Sequence, residues 1–584
     1  MRKSTYFTAD FETSTPEWVE KDGYARVWAY AICEIGNPNN FIYGNNIEDF
    51  MKFCMGKKNY TMYFHNLKFD SSYILNYLLS NSFVLAETEE EVKSKTFRVV
   101  INDMGMIYSL EVYFTKNGKN INKVTFLDSL KLLNFSVEKI AKDFNLPLSK
   151  LELDYSNYRE VGHVLSPHEV EYIKHDVEIM ARALDIMFKE KLTHMTIGSC
   201  ALNNFMDNYK NFERMFPILT REEHLAIKCS YRGGFTYLNP LYKDKIINNL
   251  MVLDVNSLYP SVQKNEPMPC GKPIRYEGKY VKNMMYPLYI QVISCIFEIK
   301  EGFIPTIQLK NNVSFKPNEY ITSSNGLYVT LTLTNIDLEL FLEHYNVYEL
   351  KYEYGFMFKS TLHVFDDYIN HWTNEKINAK KDGNGAKYLI SKLMMNSLYG
   401  KFGTSIFVRE KYPYLSEDGV LKFRLSELKE RESVYLPVAT FITSYARRKT
   451  ITTSQKIRDY TKKKYGIDYY IYSDTDSIHM IKLPNEELSS FVEVDDYELG
   501  KWKIESDNII RGKFIRQKCY IEEDDKGIHA TIAGLPKKLG KYVNFENFKE
   551  GFTISASDLS KEHKLTYKQV KGGVILVDTD FSIK

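Results

Sequence analysis

Two groups of carboxylates, widely separated in the chain, have the residue types and spacing that divalent-metal chemistry needs. Asp10 and Glu12 stand two apart in STYFTADFET, Asp70 lies in YFHNLKFD, and Asp176 lies in YIKHD. Along a strand, period-two geometry sends Asp10 and Glu12 to one face. Carboxylates held side by side repel unless a cation joins them. Tyr172 precedes Asp176 by four residues, a spacing that sets phenol and carboxylate on one face of a helix. This set suits a two-metal nuclease, where one Mg2+ activates water and the other stabilises the leaving oxygen. Tyr172 would orient the attacking water. Each pattern alone recurs by chance as ordinary surface acid, so the argument lies in their order and context.

The second group is Asp254, in LMVLDVNSLYP, with Asp474 and Asp476, in YYIYSDTDSIHMI. An acid at the end of an apolar strand is costly unless paired or metal-bound. One Asp at a hairpin tip is a common turn former. Two of them between apolar strands would share a face and project beside Asp254. Mg2+ prefers one or two carboxylates plus substrate phosphates, which is the demand of phosphoryl transfer to a nucleotide. Tyr259 could form a floor beneath a sugar. Lys392, Asn396 and Tyr399 fall at i, i+4 and i+7, so one helix face offers a cation, an amide and a ring. Lys376 is a second phosphate candidate. The bland alternative for this helix is a solvated lysine beside a half-buried tyrosine.

These residues need particular elements to carry them. STYFTADFET predicts a strand, YTMYFHN a second strand, and SSYILNYLLSN a helix. Ser166, Pro167 and Glu169 open a long amphipathic helix through a capping box. NNLMVLDV predicts a strand, followed by a turn and a helix from Pro260. GAKYLISKLMMNSLYGKF predicts a helix ending at Gly400. YYIYSDTDSIHMI predicts two strands about a tight turn. At 584 residues, several lobes are expected rather than one core. The expected lobes are 1–196, a βα-rich unit; 197–266; 267–364, an inserted α+β unit; 365–403; 404–431, a hairpin insertion; 432–534; and 535–584. The last carries nine lysines against six acids.

Hydrophobic residues make up 44% and charged residues 26%, values of a globular protein rather than a disordered one. The net charge of +2 means that any basic groove is balanced by acid elsewhere. The 44 tyrosines suit either a tyrosine-rich core or a surface that stacks on bases. Seven scattered cysteines with no C-x-x-C pair argue against a zinc ribbon or a disulfide framework. The N-terminus lacks the apolar stretch of a signal peptide, and no run is long enough to span a membrane.

Taken in order, DFET, HNLKFD, YIKHD, YRGGF, DVNSLYP, KLMMNSLYGKF, YSDTDS and RQKCY resemble the motifs of family B DNA polymerases. The resemblance is strongest to the protein-primed phage subgroup, the phi-29 type, and runs the length of the chain. It implies an RNase H-like 3′–5′ exonuclease domain followed by a right-hand polymerase of palm, fingers and thumb, with two insertion subdomains. Asp10, Glu12, Asp70 and Asp176 would be exonuclease metal ligands, assisted by Tyr172 and Lys150. His65, Asn66, Phe69, Ser129 and Leu130 would hold the frayed primer end. Asp254, Val255 and Asp476 would bind the polymerisation metals, with Asp474 in support. Val255, Ser257, Leu258, Tyr259, Lys376, Lys392, Asn396 and Tyr399 would contact the nucleotide, Tyr259 excluding a 2′-hydroxyl. Tyr231, Gly233 and Gly234 would pass the primer end between sites, and Lys518 and Tyr520 would steady it.

The same resemblance implies two Mg2+ per site, with Mn2+ as a substitute, and DNA template, primer and deoxynucleoside triphosphates as partners. It also implies a terminal priming protein, a monomeric enzyme, strand displacement, and action in the cytoplasm of an infected bacterium. Cys519, Ser473 and Tyr445 depart from residues usual in the family. Two other readings remain at this point: a nuclease whose second half only binds DNA, and a non-enzymatic DNA-binding partner. Intact Asp254, Asp476 and Lys392 speak against the first, and the complete metal set in both halves against the second.

Overall fold

Alternating apolar residues in TYFTADFET build the strand Thr5–Thr13, which becomes the middle of an eight-stranded sheet. The computed structural model describes residues 5–56, 59–117, 120–309, 314, 316, 319–555 and 564–583. The expected lobes 1–196, 267–364 and 535–584 each include positions outside these. In the first sheet, Thr5–Thr13 runs antiparallel to Val27–Glu34 and parallel to Tyr60–Phe64, which is itself parallel to Asn120–Asp128. The parallel joins need crossovers, and the helix Leu67–Ser80 follows Tyr60–Phe64 in that role. The helix Pro167–Lys189 packs across the first two strands. Its capping box closes in both directions, Ser166 to the Glu169 amide and Glu169 to the Ser166 amide. Thr8 Oγ1 donates to the Val177 carbonyl at 2.7 Å, locking helix to strand. The result is RNase H-like.

The second sheet has seven strands, in the order Gly527–Ile532, Cys519–Asp524, Trp502–Arg516, Ile246–Val255, Ser477–Ile481, Tyr470–Asp474 and Thr236–Leu238. Ile246–Val255 lies in its interior, and its stretch Leu250–Leu253 ahead of Asp254 is apolar and buried, as a strand paired on both edges requires. The 30-residue helix Leu436–Tyr465 supports the sheet from below. Between the strands are the four-stranded sheet of Met268–Glu277, Tyr345–Thr361, Leu288–Ile299 and Val329–Thr334, and the helices Asp366–Lys381 and Gly385–Phe402. Gly385 abuts the Asp143 carbonyl, leaving no room for a Cβ, so these two helices touch the first lobe through glycine.

Two helix boundaries differ from the sequence reading. The helix expected from Pro260 starts two residues earlier, at Leu258, because Ser257 takes φ 52° and turns the chain at once. The helix expected to stop at Gly400 continues two residues further to Phe402, whose fully buried ring anchors the end.

The hairpin Lys411–Leu415/Leu421–Leu425 reaches back to the first lobe. Leu421 shares the apolar core of that lobe with Val574 and Ile575 from the chain's end. Asn102 bridges Glu410, Val420 bridges Lys571, and Arg424 pairs with Glu87. The strands Lys564–Val570 and Gly573–Thr579 dock on the same lobe, where Tyr73 Oη donates to the Val574 carbonyl at 2.5 Å. All seven cysteines are free thiols, and Cys229 alone is exposed. Among the described residues, no helix is long and apolar enough to cross a membrane.

One buried ion pair ties the parts together. Arg447, on the long helix, meets Asp337, on the helix Asn335–His344, at 2.6 Å. Thr334 and Ser444 hydroxyls donate to the same carboxylate, and the guanidinium holds it below the usual carboxylate range despite burial. The remaining Arg447 donor reaches the Arg232 and Gly233 carbonyls at 3.0 and 2.7 Å. Removing one partner strands a buried charge, at a cost of about 3–5 kcal/mol. Asp337→Ala is therefore expected to lower the unfolding free energy by that order, shifting the denaturation midpoint down. Arg448→Ala, at a half-exposed pair with Glu266, should cost under about 1 kcal/mol. Chemical denaturation followed by tryptophan fluorescence checks both.

Candidate active sites

In the first lobe, Asp10 and Glu12 share one face of their strand, opposite Ala31 and Ala29 across the ladder. Asp176 comes from the helix locked to that strand. Asp10, Glu12 and Asp176 each place a carboxylate oxygen within 4.8 Å of the others, the only such group among the described residues. Asp70 lies outside that set, in the first turn of Leu67–Ser80, yet near enough to repel Asp10 and Glu12. Burial and mutual repulsion push Asp10 up to about 7 and Glu12 up to about 8, and raise Asp70 well above the ordinary range. Asp176 is raised by burial, though Lys150 Nζ contacts its Oδ2 at 2.7 Å. Its other oxygen, Oδ1, is buried with no hydrogen-bond partner. Repelling carboxylates plus an orphaned acceptor fit a divalent cation.

Tyr172 is not alone in this site. Tyr155 Oη donates to Glu12 at 2.6 Å and lies 3.2 Å from Tyr172 Oη. Sequence reasoning missed Tyr155, which sits in irregular chain with no periodicity to mark it. Next to the carboxylates, His65 bonds Ser129 Oγ and the Phe135 carbonyl, and burial lowers its pKa. Asp128 accepts from the amides of Asn66 and Leu130, and Asn66 holds φ 78° at the helix entry. Asn66 and Phe69 both touch Tyr567, by a 2.9 Å hydrogen bond and by rings 5.8 Å apart. Tyr567 is a second residue that sequence reasoning missed, because its partners lie some 500 positions away.

In the second lobe, Asp254 pairs in register with Ser477 on one side and Lys503 on the other. The Val255 amide donates to the Asp476 carbonyl at 2.8 Å, fixing the turn that bears Asp476. Thr475 takes φ 62° at that turn, donates to the Phe235 carbonyl and accepts through its own carbonyl from Thr450 Oγ1. Gly234 lies so close that a Cβ would stand 2.7 Å from the Thr475 side chain. YRGGF therefore packs on the D-T-D turn, and only glycine fits there. Tyr231 closes the other flank, its Oη filling the space beside Gly403.

Burial and Asp476 push Asp254 up to about 6, and burial, then Asp474, raise Asp476. This too fits a bound cation. Asp474 is engaged differently: both its oxygens take Lys518 Nζ, at 2.7 and 2.8 Å. Lys503 Nζ lies 3.3 Å from Asp254, a contact sequence reasoning missed because strand register creates it. The three aspartates open onto a cavity of 820 Å³, also lined by Tyr259, Tyr399, Glu505, Lys518 and Tyr520. The rings of Tyr259 and Tyr399 lie against each other with centroids 4.1 Å apart and planes tilted by 32°. Tyr520 packs against Phe514 and His479. Ser257 and Leu258 stand at the start of the helix behind Asp254. Lys376 is half-buried, its pKa lowered by burial and by Lys392 and Lys503, while Lys392 and Asn396 are exposed.

The raised carboxyls set a pH signature. Between about 4, the ordinary carboxylate value, and about 8, Asp10 and Glu12 hold more protons in the folded metal-free protein than in the unfolded chain. Their contribution to stability therefore falls as pH rises through that window. Differential scanning of chelated protein should show Tm declining across this range. Added divalent cation should restore more at the upper end, and Glu12→Gln should flatten the decline.

Comparison with known proteins agrees with this geometry. The family described as DNA polymerase type B, organellar and viral, matches residues 51–166 and 157–490. The DNA polymerase of Bacillus phage B103 is 44% identical, and that of Bacillus phage phi29 41%, each alignment covering 99% of both chains. The DNA polymerase of Streptococcus phage Cp-1 is 32% identical over 99% of this chain and 98% of its own. The solved phi29 DNA polymerase complexed with primer-template DNA and incoming nucleotide superposes with a TM-score of 0.90, covering all of both chains at 40% identity. The chain thus belongs to the organellar and viral type B DNA polymerases, and is a DNA-directed DNA polymerase of the phi29 type.

Proposed function

We propose that this polymerase joins synthesis at Asp254 and Asp476 to 3′–5′ proofreading at Asp10, Glu12, Asp70 and Asp176. One observation carries the reading: two carboxylate constellations stand on separate sheets, each raised by burial and by its own members. Two Mg2+ per site, or Mn2+, would lower the charge on the attacking and leaving oxygens when bound. The protein's own groups do the rest. Lys376, Lys392 and Asn396 meet the triphosphate, with the Val255 to Leu258 backbone beside it. Tyr259, backed by Tyr399, fills the space a 2′-hydroxyl would need. Lys518 and Tyr520 steady the primer terminus, and Tyr231, Gly233 and Gly234 guide it between sites. In the proofreading site, Lys150 orients Asp176, and Tyr172 orients water. His65, Asn66, Phe69, Ser129 and Leu130 grip the frayed end.

The lobes then read as exonuclease 1–196, palm 197–266 and 432–534, insertions 267–364 and 404–431, fingers 365–403 and thumb 535–584. The contacts of Leu421, Arg424 and Val420 with the first lobe and the chain's end support a closed tunnel for strand displacement and processive synthesis. Full-length likeness to phage polymerases supports a monomer acting in the host cytoplasm, with initiation on a terminal protein.

Asp254→Ala or Asp476→Ala should abolish primer extension, by at least about a thousandfold, and spare digestion of single strands. Asp10→Ala with Asp70→Ala should do the reverse. Loss of both activities in both pairs would overturn the two-site reading. Tyr259→Val should relax rejection of ribonucleotides, read as the ratio of kcat/KM values for the two sugars. Supplied with its terminal protein and one labelled deoxynucleotide but no nucleic-acid primer, the enzyme should label the protein. An unlabelled authentic terminal protein would remove protein priming.

A further inference from the structure

Lys503 stands where two demands of the synthetic site meet. It lies directly across the ladder from Asp254, with Nζ 3.3 Å from Oδ1. Asp254 leads through Asn256 and Ser257 into the helix Leu258–Asn265, which packs against both Asp366–Lys381 and Gly385–Phe402. Those two helices carry Lys376 and Lys392. The half-buried Lys376 ammonium is depressed by burial, then by Lys392 and Lys503, so the three cations share one neighbourhood. Lys503 is about one-third exposed, and among the described residues its ammonium meets no acceptor other than Asp254. A lysine ammonium is a compact charge on a flexible four-carbon stem. It can release one anion and reach another without backbone motion.

We propose that Lys503 is a placeholder cation of the synthetic site: it neutralises Asp254 while the site is empty, then turns to the triphosphate when nucleotide and divalent cation enter. The inference rests on Asp254 as a metal-bearing carboxylate of that site. Coulomb's law sets the exchange. An ammonium on Asp254 competes with a divalent cation for the same oxygen, and a triphosphate offers the displaced ammonium a larger negative charge. Lys503 therefore opposes cation binding in the empty site and assists nucleotide binding in the full one. A residue that merely braced Asp254 would affect both in one direction.

The test uses the full chain on primer–template whose primer ends in a dideoxynucleotide, so that no chemistry intervenes. Free Mn2+ is followed by electron paramagnetic resonance, and binding of the correct deoxynucleotide by complex stability. Lys503→Ala is expected to bind Mn2+ more tightly without nucleotide. It should bind the nucleotide more weakly, roughly tenfold, the scale of one charge-assisted contact. In turnover, KM for nucleotide should rise more than kcat falls, and Lys503→Arg should restore nucleotide affinity. Unchanged or weaker Mn2+ binding in Lys503→Ala overturns the placeholder role. Unchanged nucleotide affinity overturns the triphosphate role. Asp254→Ala separates the two levels: if it still extends primers, the assignment of the site fails, whatever Lys503 does.

Discussion

The buried pair of Arg447 and Asp337 is the constraint on which the second lobe depends. Two charges removed from water must satisfy each other and every remaining donor and acceptor. Here they do so with two hydroxyls and two backbone carbonyls. Those carbonyls belong to YRGGF, and the next residues of that segment hold the D-T-D turn through Phe235 and Gly234. The chain of support runs from an inserted helix, through one guanidinium, to the turn that bears Asp476. The position of that aspartate thus reflects contacts made far from the carboxylate itself.

Both acidic centres obey one rule. A carboxylate kept ionised on its own would be solvated or fully paired; these are wholly or partly buried and close to one another, with only Lys150, Tyr155 and Lys503 among the described residues to offset them. The protein holds them in an arrangement that is unfavourable until a cation arrives, and the surrounding framework supplies the rigidity. In the first lobe that rigidity comes from a strand and a helix joined by Thr8; in the second it comes from two strands flanking Ile246–Val255. Asp474 differs in degree, since Lys518 holds both of its oxygens, whereas Lys503 reaches Asp254 through one.

What was legible in the sequence was local. Asp10 and Glu12 declared their shared face through strand period, Tyr172 and Asp176 through helix period, and Ser166 and Glu169 through their capping spacing. YYIYSDTDSIHMI declared its two strands, Tyr470–Asp474 and Ser477–Ile481. Helix ends were less legible. Ser257 enters a left-handed conformation that residue type does not announce, and Phe402 extends a helix for the sake of a distant core. Least legible were residues whose partners arrive through folding. Tyr155 meets Glu12 from irregular chain, Lys503 meets Asp254 by ladder register, and Tyr567 meets Asn66 from the other end of the molecule. No spacing rule reports such contacts, because the intervening chain lengths carry no period.

The cysteine distribution has a practical meaning. Six of seven thiols are buried, and burial raises Cys33, Cys54, Cys200, Cys270, Cys295 and Cys519 away from the reactive thiolate. Cys229 alone faces solvent, two residues ahead of Tyr231. The unaltered polypeptide thus presents one addressable sulfur beside the segment that joins its halves. A maleimide fluorophore placed there would sit beside the YRGGF segment that packs on the D-T-D turn, and no native cysteine need be removed to put it there.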